Sequence, residues 1–245
     1  MAKKLSFKIV GVLILVMVVI MSVFTFFLVR SQTKAMNEEM LVRAQIEAKS
    51  GARLMERVLA EGVANGALKV DALFDQNYEP IAGTDPPKYH TRYDRYLDGI
   101  IQRLEDEYLQ DPQVVFAVLV DKNGYLPTHN TKYSQPLTGD REKDRSGNRG
   151  KRLFNDQVGL AAARNSSGVL KQVYNRDTGE QMWDLSAPVF VDGRHWGAFR
   201  IGFSMEKTEK MVAALRWKII GAMAMLLIVS SVTILVVVTL LIRPL

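Results

Sequence analysis

Gln181–Phe203 reads QMWDLSAPVFVDGRHWGAFRIGF, two apolar stretches that meet at Asp192-Gly193. Asp-Gly favours a two-residue hairpin turn, where both central residues take positive φ at little cost. Gln181–Val191 and His195–Phe203 therefore pair as antiparallel strands. Alternation places Trp196, Ala198 and Arg200 on one face of the second strand, and Gly197, Phe199 and Ile201 on the other. Working outward, Val169–Tyr174 reads as a further strand, joined through a turn at Arg176-Asp177-Thr178-Gly179. Val114–Asp121 (VVFAVLVD) is the near-continuous apolar run of a central strand. Lys122-Asn123-Gly124 turns it into another strand beginning at Tyr125–Thr128. Five strands joined in this way predict one mostly antiparallel sheet.

The helices lie outside these strands. From Ser31 to about Asn65 there is no proline, and Met36, Met40, Ala44, Ala48, Ala52, Met55, Leu59 and Val63 step by three or four. That spacing draws an apolar stripe along a long helix. It can pack on the domain itself or on a second copy; the small Ala44, Ala48 and Ala52 favour a homodimer. Asn77–Lys88, with three prolines, is a loop. Asp94–Leu109 returns to helical spacing, with Tyr96, Ile100, Leu104 and Tyr108 on one face, and Asp111-Pro112 stops it. Ser134–Arg152 reads as a long polar loop, Arg152–Arg164 as a short helix, and the pattern turns helical again from Met205. Helices grouped around one antiparallel sheet make the class α+β.

Two uncharged runs bracket this region, Ile9–Val29 of 21 residues and Ile219–Ile242 of 24. A hydrocarbon core of about 30 Å needs about 20 apolar residues in a helix. A cleavable signal sequence would be shorter and end in small residues, whereas Phe24, Phe26, Phe27 and Leu28 stand there. Lys3, Lys4 and Lys8 before the first run, and Arg243 after the second, put both termini in the cytoplasm. Arg30, Arg216 and Lys218 oppose that bias weakly. Between the runs, 28 basic residues face all 26 acidic ones. The net charge of +6 thus owes much to the flanks and gives no support to nucleic-acid binding. No cysteine is present, which excludes disulfides, thiolate metal sites and covalently attached haem. The expected organisation is a cytoplasmic end (1–8), a span (9–29), an extracytoplasmic domain (30–218), a second span (219–242) and a short tail (243–245).

Several separated motifs resemble one family in the expected order. Val118–Asn130 (VLVDKNGYLPTHN), Tyr133–Asp140 (YSQPLTGD), Lys151–Asn165 (KRLFNDQVGLAAARN) and DLSAPVFVDGRHWGAFRIGF resemble the sensor region of bacterial methyl-accepting chemotaxis proteins. The likeness is to the Cache type, a periplasmic PAS-like fold, over roughly residues 35–210. It implies a five-stranded antiparallel sheet behind a long N-terminal helix, a small extracytoplasmic ligand, an inner-membrane location and signalling in chemotaxis. Leu241–Leu245 (LIRPL) is similar to the start of a HAMP linker. HAMP helices and a methylation domain do not follow in this sequence, so the expectation is a truncated receptor or a chain that signals through a partner. The input half of a histidine kinase or diguanylate cyclase stays open as an alternative. So does a membrane interaction protein that binds no small molecule.

No catalytic set emerges, and no enzyme is expected. His90, His129 and His195 fall in neither HExxH nor GxSxG spacing. Asp177 and Glu180 flank a turn, and Asp121–Gly124 lacks the further acids of a calcium loop. In PAS-like domains the ligand lies on the concave face of the sheet. The resemblance accordingly implies Tyr125, His129, Asn130, Arg152 and Phe154 near the pocket. Trp183, Asp184, Trp196 and Arg200 face either that pocket or the opposite side. Arginine beside aromatic rings suits a small carboxylate, and Arg200→Ala is expected to abolish its binding without unfolding the domain. The plain alternative makes Trp183 and Trp196 core packing and Arg200 a surface ion pair. No cofactor is expected, with noncovalent haem on His129 or His195 as the alternative.

Overall fold

The computed structural model describes residues 2–175 and 179–241, so the turn at 176–178 and the HAMP-like residues 242–245 lie outside the described residues. Two compact units are present, residues 41–208 and residues 1–40 with 209–245. In chain order the elements are α1 (Ala2–Ala64), α2 (Val70–Leu73), β1 (Glu79–Pro80), β2 (Tyr89–His90), α3 (Asp94–Asp98) and α4 (Ile101–Glu107). Next come β3 (Val114–Asp121), β4 (Tyr125–Leu126), α5 (Arg141–Gly147), β5 (Arg152–Leu153) and α6 (Gln157–Arg164). The chain closes with β6 (Leu170–Asn175), β7 (Gln181–Val191), β8 (Arg194–Ser204) and α7 (Met205–Leu241).

In the 41–208 unit an antiparallel sheet runs in the order β3-β8-β7-β6. The hairpin between β7 and β8 turns at Asp192 (φ 50°) and Gly193 (φ 73°), as Asp-Gly requires. The main sheet has four strands among the described residues, where five are expected from the sequence. β4 instead pairs with β5 as a separate ribbon. Asp121 explains the departure, because its Oδ1 accepts from the amides of Asn123 and Tyr125, each at 2.9 Å, and bends the chain away. Side chains take the place of the missing strand. The Ala117 amide donates to Asn130 Oδ1 at 3.0 Å, and the Leu119 amide to Glu105 Oε1 at 2.8 Å.

The stripe on α1 is spent inside the chain. Ala44, Ala48, Ala52, Met55 and Leu59 are buried in one core with Leu185, Ala187, Phe199, Ile201 and Phe203 of the sheet. The small residues therefore bring the helix close to the chain's own sheet. The other sheet face holds a second core of Phe116, Val118, Val120, Leu126, Ala163, Met182 and Ala198. Alternation along β8 fails at Trp196. Val189 pairs with Gly197 and Phe190 with His195, so Trp196 is the extra residue of a bulge and joins the α1-side core.

The helix expected over Asp94–Leu109 is broken at Gly99-Ile100 into α3 and α4. Its buried row is Tyr93, Leu97, Ile101 and Glu105, rotated from the expected face. The polar stretch 134–152 contains a helix that composition hides. Asp140 accepts from the amides of Glu142 and Lys143 and so starts α5. Asp156 does the same for α6, which is why that helix begins at Gln157 and not at Arg152.

In the second unit, apolar side chains point outward on every side. Leu15, Phe26, Phe27 and Ile228 are each more than half exposed, and both helices are long and apolar enough to cross a membrane. Their hydroxyls bond back to the carbonyl four residues earlier, Thr25 to Met21, Ser231 to Leu227 and Thr239 to Leu235. That leaves no polar side-chain group of these three asking for water, as hydrocarbon demands. Two long apolar helices thus flank the α+β domain in sequence.

Candidate functional site

The chemistry gathers on the sheet face away from α1. Arg200 on β8 stands opposite Ser186 on β7, and Asp184 stands opposite Gly202. The two charged residues are therefore diagonal neighbours, with no side chain at Gly202 between them. Arg200 Nε donates to Asp184 Oδ1 at 3.3 Å and Nη2 to Oδ2 at 2.8 Å. Asp184 is fully buried and Arg200 is 5% exposed. Burial works against the guanidinium charge, but the Asp184 carboxylate outweighs it and holds the Arg200 pKa above its ordinary value. The third guanidinium nitrogen, Nη1, makes no hydrogen bond among the described residues.

Arg200 forms the polar part of a cleft otherwise walled by Phe116, Val118, Leu126, Phe154 and Tyr174, with Arg149 beside them. The cleft holds a cavity of about 20 Å³, within about 310 Å³ of empty space that includes its open mouth. The Arg149 and Arg152 guanidinium groups lie 5.0 and 4.9 Å from the centre of the Phe154 ring. Lys88 is buried next to this segment and donates to the Gly150 carbonyl. Burial first, then the charges of Arg152 and Lys151, push its pKa down to about 8. The wall segment itself is strained, since Lys151 takes φ 63°. Its ammonium is fixed at 3.1 Å from Asp94 and 2.5 Å from Asp98.

The residues named from the sequence divide between this cleft and other places. Arg200 and Phe154 line it, and Arg152 stacks on Phe154 while donating to the Arg145 carbonyl at 2.9 Å. His129 stands behind the cleft wall, its ring 6.3 Å from Phe116 and 4.9 Å from Tyr133. Asn130 caps the β3 edge. Tyr125, Trp183 and Trp196 belong to the opposite core. The Tyr125 hydroxyl lies 2.9 Å from both the Tyr89 carbonyl and Asp94 Oδ2. Trp183 carries the Lys171 ammonium 3.6 Å above its ring. Trp196 Nε1 donates to the Leu73 carbonyl at 2.8 Å, and its ring borders a smaller recess with Tyr93 and Asp121. Sequence reasoning missed Phe116, Val118, Leu126, Arg149 and Tyr174. For Phe116 and Val118, the two-residue period of β3 was the available signal.

No protein-family model matches the chain, and no curated protein matches it. Solved structures do. The sensory domain of the Campylobacter jejuni chemoreceptor Tlp3 with isoleucine bound is 13% identical, covers 76% of this chain and 60% of its own, and gives a TM-score of 0.46. The ligand-binding domain of the same receptor with L-norvaline is 13% identical over 76% of this chain and 59% of its own, with a TM-score of 0.48. The E. coli DcuS sensor domain is 15% identical over 46% of this chain and 72% of its own, with a TM-score of 0.34. This chain spans about three-fifths of the length of the Tlp3 structures it matches. Two of these are domains of one chemoreceptor and the third is a sensor domain.

Proposed function

We propose that this chain is a membrane receptor of the chemoreceptor type whose α+β domain binds a small carboxylate in the Arg200 cleft. The supporting observation is the uncommitted Nη1 of a buried guanidinium that Asp184 holds rigid within apolar and aromatic walls. A carboxylate or similar acceptor satisfies that nitrogen, and the Phe116, Val118, Leu126 and Phe154 side chains take a short apolar tail. A cavity of about 20 Å³ holds little more than a water molecule. Ligand entry therefore requires the 149–154 segment to move outward and close again. Arg200 lies four residues before the end of β8, and α7 begins at the next residue after that strand. Ligand-driven shifts of β8 are thus passed to α7 with no loop between them. A coupling free energy of about 1–3 kcal/mol is enough for such a switch.

Neither His129 nor His195 lines the cleft. In this role the 30–218 domain lies outside the bacterial inner membrane, with both termini in the cytoplasm. A homodimer would use another face of α1, where Val42 and Ile46 are exposed. The cysteine-free sequence makes the topology simple to test. Single cysteines introduced at exposed Lys49 and Gly179 are expected to react with an impermeant maleimide in intact spheroplasts. Labelling only after lysis would reverse the orientation.

The ligand test is a thermal-shift panel of small carboxylates, amino acids and amines against the full chain in nanodiscs. A ligand at about 100 times its Kd adds about 2.7 kcal/mol. At about 2–4 °C per kcal/mol this raises Tm by about 5–10 °C. At least one carboxylate is expected to do so, and no simple amine. A flat panel would favour the interaction-protein reading instead.

A further inference from the structure

Glu105 is a buried acid that the cleft does not use. It projects from α4 against the open edge of β3 and is 0% exposed. Its Oε1 accepts from the Leu119 amide at 2.8 Å and from Thr128 Oγ1 at 3.1 Å, while Oε2 has no hydrogen-bond partner among the described residues. The same helix grips the facing segment at two more points. Gln102 Nε2 donates to the His129 carbonyl at 3.0 Å, and Asp106 accepts from the Thr131 amide at 2.8 Å and its hydroxyl at 2.6 Å. That segment in turn holds β3, because Asn130 Oδ1 caps the Ala117 amide. α4 is seven residues long and has no side-chain N-cap. Its place therefore depends on these contacts and on its buried apolar row.

We propose that Glu105 is a proton-operated latch, closing α4 and residues 128–131 over the β3 edge while its carboxyl is protonated and releasing them when the proton is lost. A neutral carboxyl tolerates a dry Oε2, whereas a carboxylate must be hydrated. Among the described residues no basic side chain pairs with it. The groups that face it are the Leu119 amide of β3, the Thr128 hydroxyl of the gripped segment and, as the one titratable group acting on it among the described residues, Asp106 on its own helix. Burial pushes the Glu105 pKa up to about 8, with Asp106 adding to it and the Leu119 and Thr128 hydrogen bonds opposing. Release uncovers the Ala117 and Leu119 amides. It also frees the His129 ring from Phe116, which links the latch to the cleft wall.

The open form ionises as an ordinary carboxyl and the closed form does so only near pH 8. Opening therefore gains up to about tenfold per pH unit between about pH 5 and about pH 8, and then levels off. Hydrogen–deuterium exchange of the 113–121 peptide in the full chain in nanodiscs reads this out, with times scaled for intrinsic base catalysis. Wild type is expected to show that rise and plateau, and Glu105→Gln a flat profile. Thr128→Val removes a bond that favours the charged form, so its plateau begins at higher pH. A Glu105→Gln slope equal to wild type overturns the proposal. So does a Thr128→Val plateau that stays in place or moves down, and this readout stands even if Glu105→Gln does not fold.

Discussion

Asp184→Ala is expected to lower the unfolding free energy of the domain by about 3–5 kcal/mol, measured by urea denaturation followed through tryptophan fluorescence. The figure is large because the change leaves the Arg200 guanidinium charged and unpaired in a site that is 5% exposed. Arg200→Ala strands the fully buried Asp184 carboxylate and costs a similar amount, which reverses the expectation that this substitution spares the fold. Removing both charges tells stability apart from binding. The Asp184→Leu, Arg200→Met double variant leaves neither charge buried and unpaired, and apolar replacements of this kind are often neutral. It is expected to return to within about 1–2 kcal/mol of wild type and yet lose all carboxylate-induced thermal shift. Stabilisation by the same ligand in the double variant would take Arg200 out of the site.

What the sequence made legible was whatever depends on short-range pattern. The Asp192-Gly193 hairpin, the VVFAVLVD strand and the α1 stripe each follow from a period or a turn residue, and each is present. Long-range substitutions were not legible. Nothing near Tyr125 announces that a glutamate twenty residues earlier and an asparagine five residues later cap the strand edge, so a fifth strand was expected there. The bulge at Trp196 was hidden for the same reason, because alternation assumes an unbroken ladder. It moved an aromatic residue from the candidate site to the opposite core. Arg200 was legible as a lone cation among apolar residues, but its partner was not. Asp184 lies sixteen residues away and meets it only once β7 and β8 pair.

Gly51→Val is expected to destabilise the domain by about 3 kcal/mol or more, because α1 meets the sheet at that glycine. A Cβ built there would lie 2.1 Å from Phe199 Cε1 and 2.3 Å from Cδ1. The ring has no room to retreat, being fully buried and 5.0 Å from the Tyr108 ring. Glycine in a helix interior costs about 1 kcal/mol relative to alanine. Gly51→Ala would therefore be stabilising if helix propensity decided the matter. Overpacking against Phe199 is expected to win, for a net loss of about 1–2 kcal/mol. Phe199→Leu shortens the obstructing ring and by itself costs about 1–2 kcal/mol in lost burial. In combination the two changes are expected to cost at least about 1 kcal/mol less than their sum, a coupling that only direct contact produces. Simple additivity, or a Gly51→Ala variant more stable than wild type, would show that helix and sheet stand further apart than this packing requires.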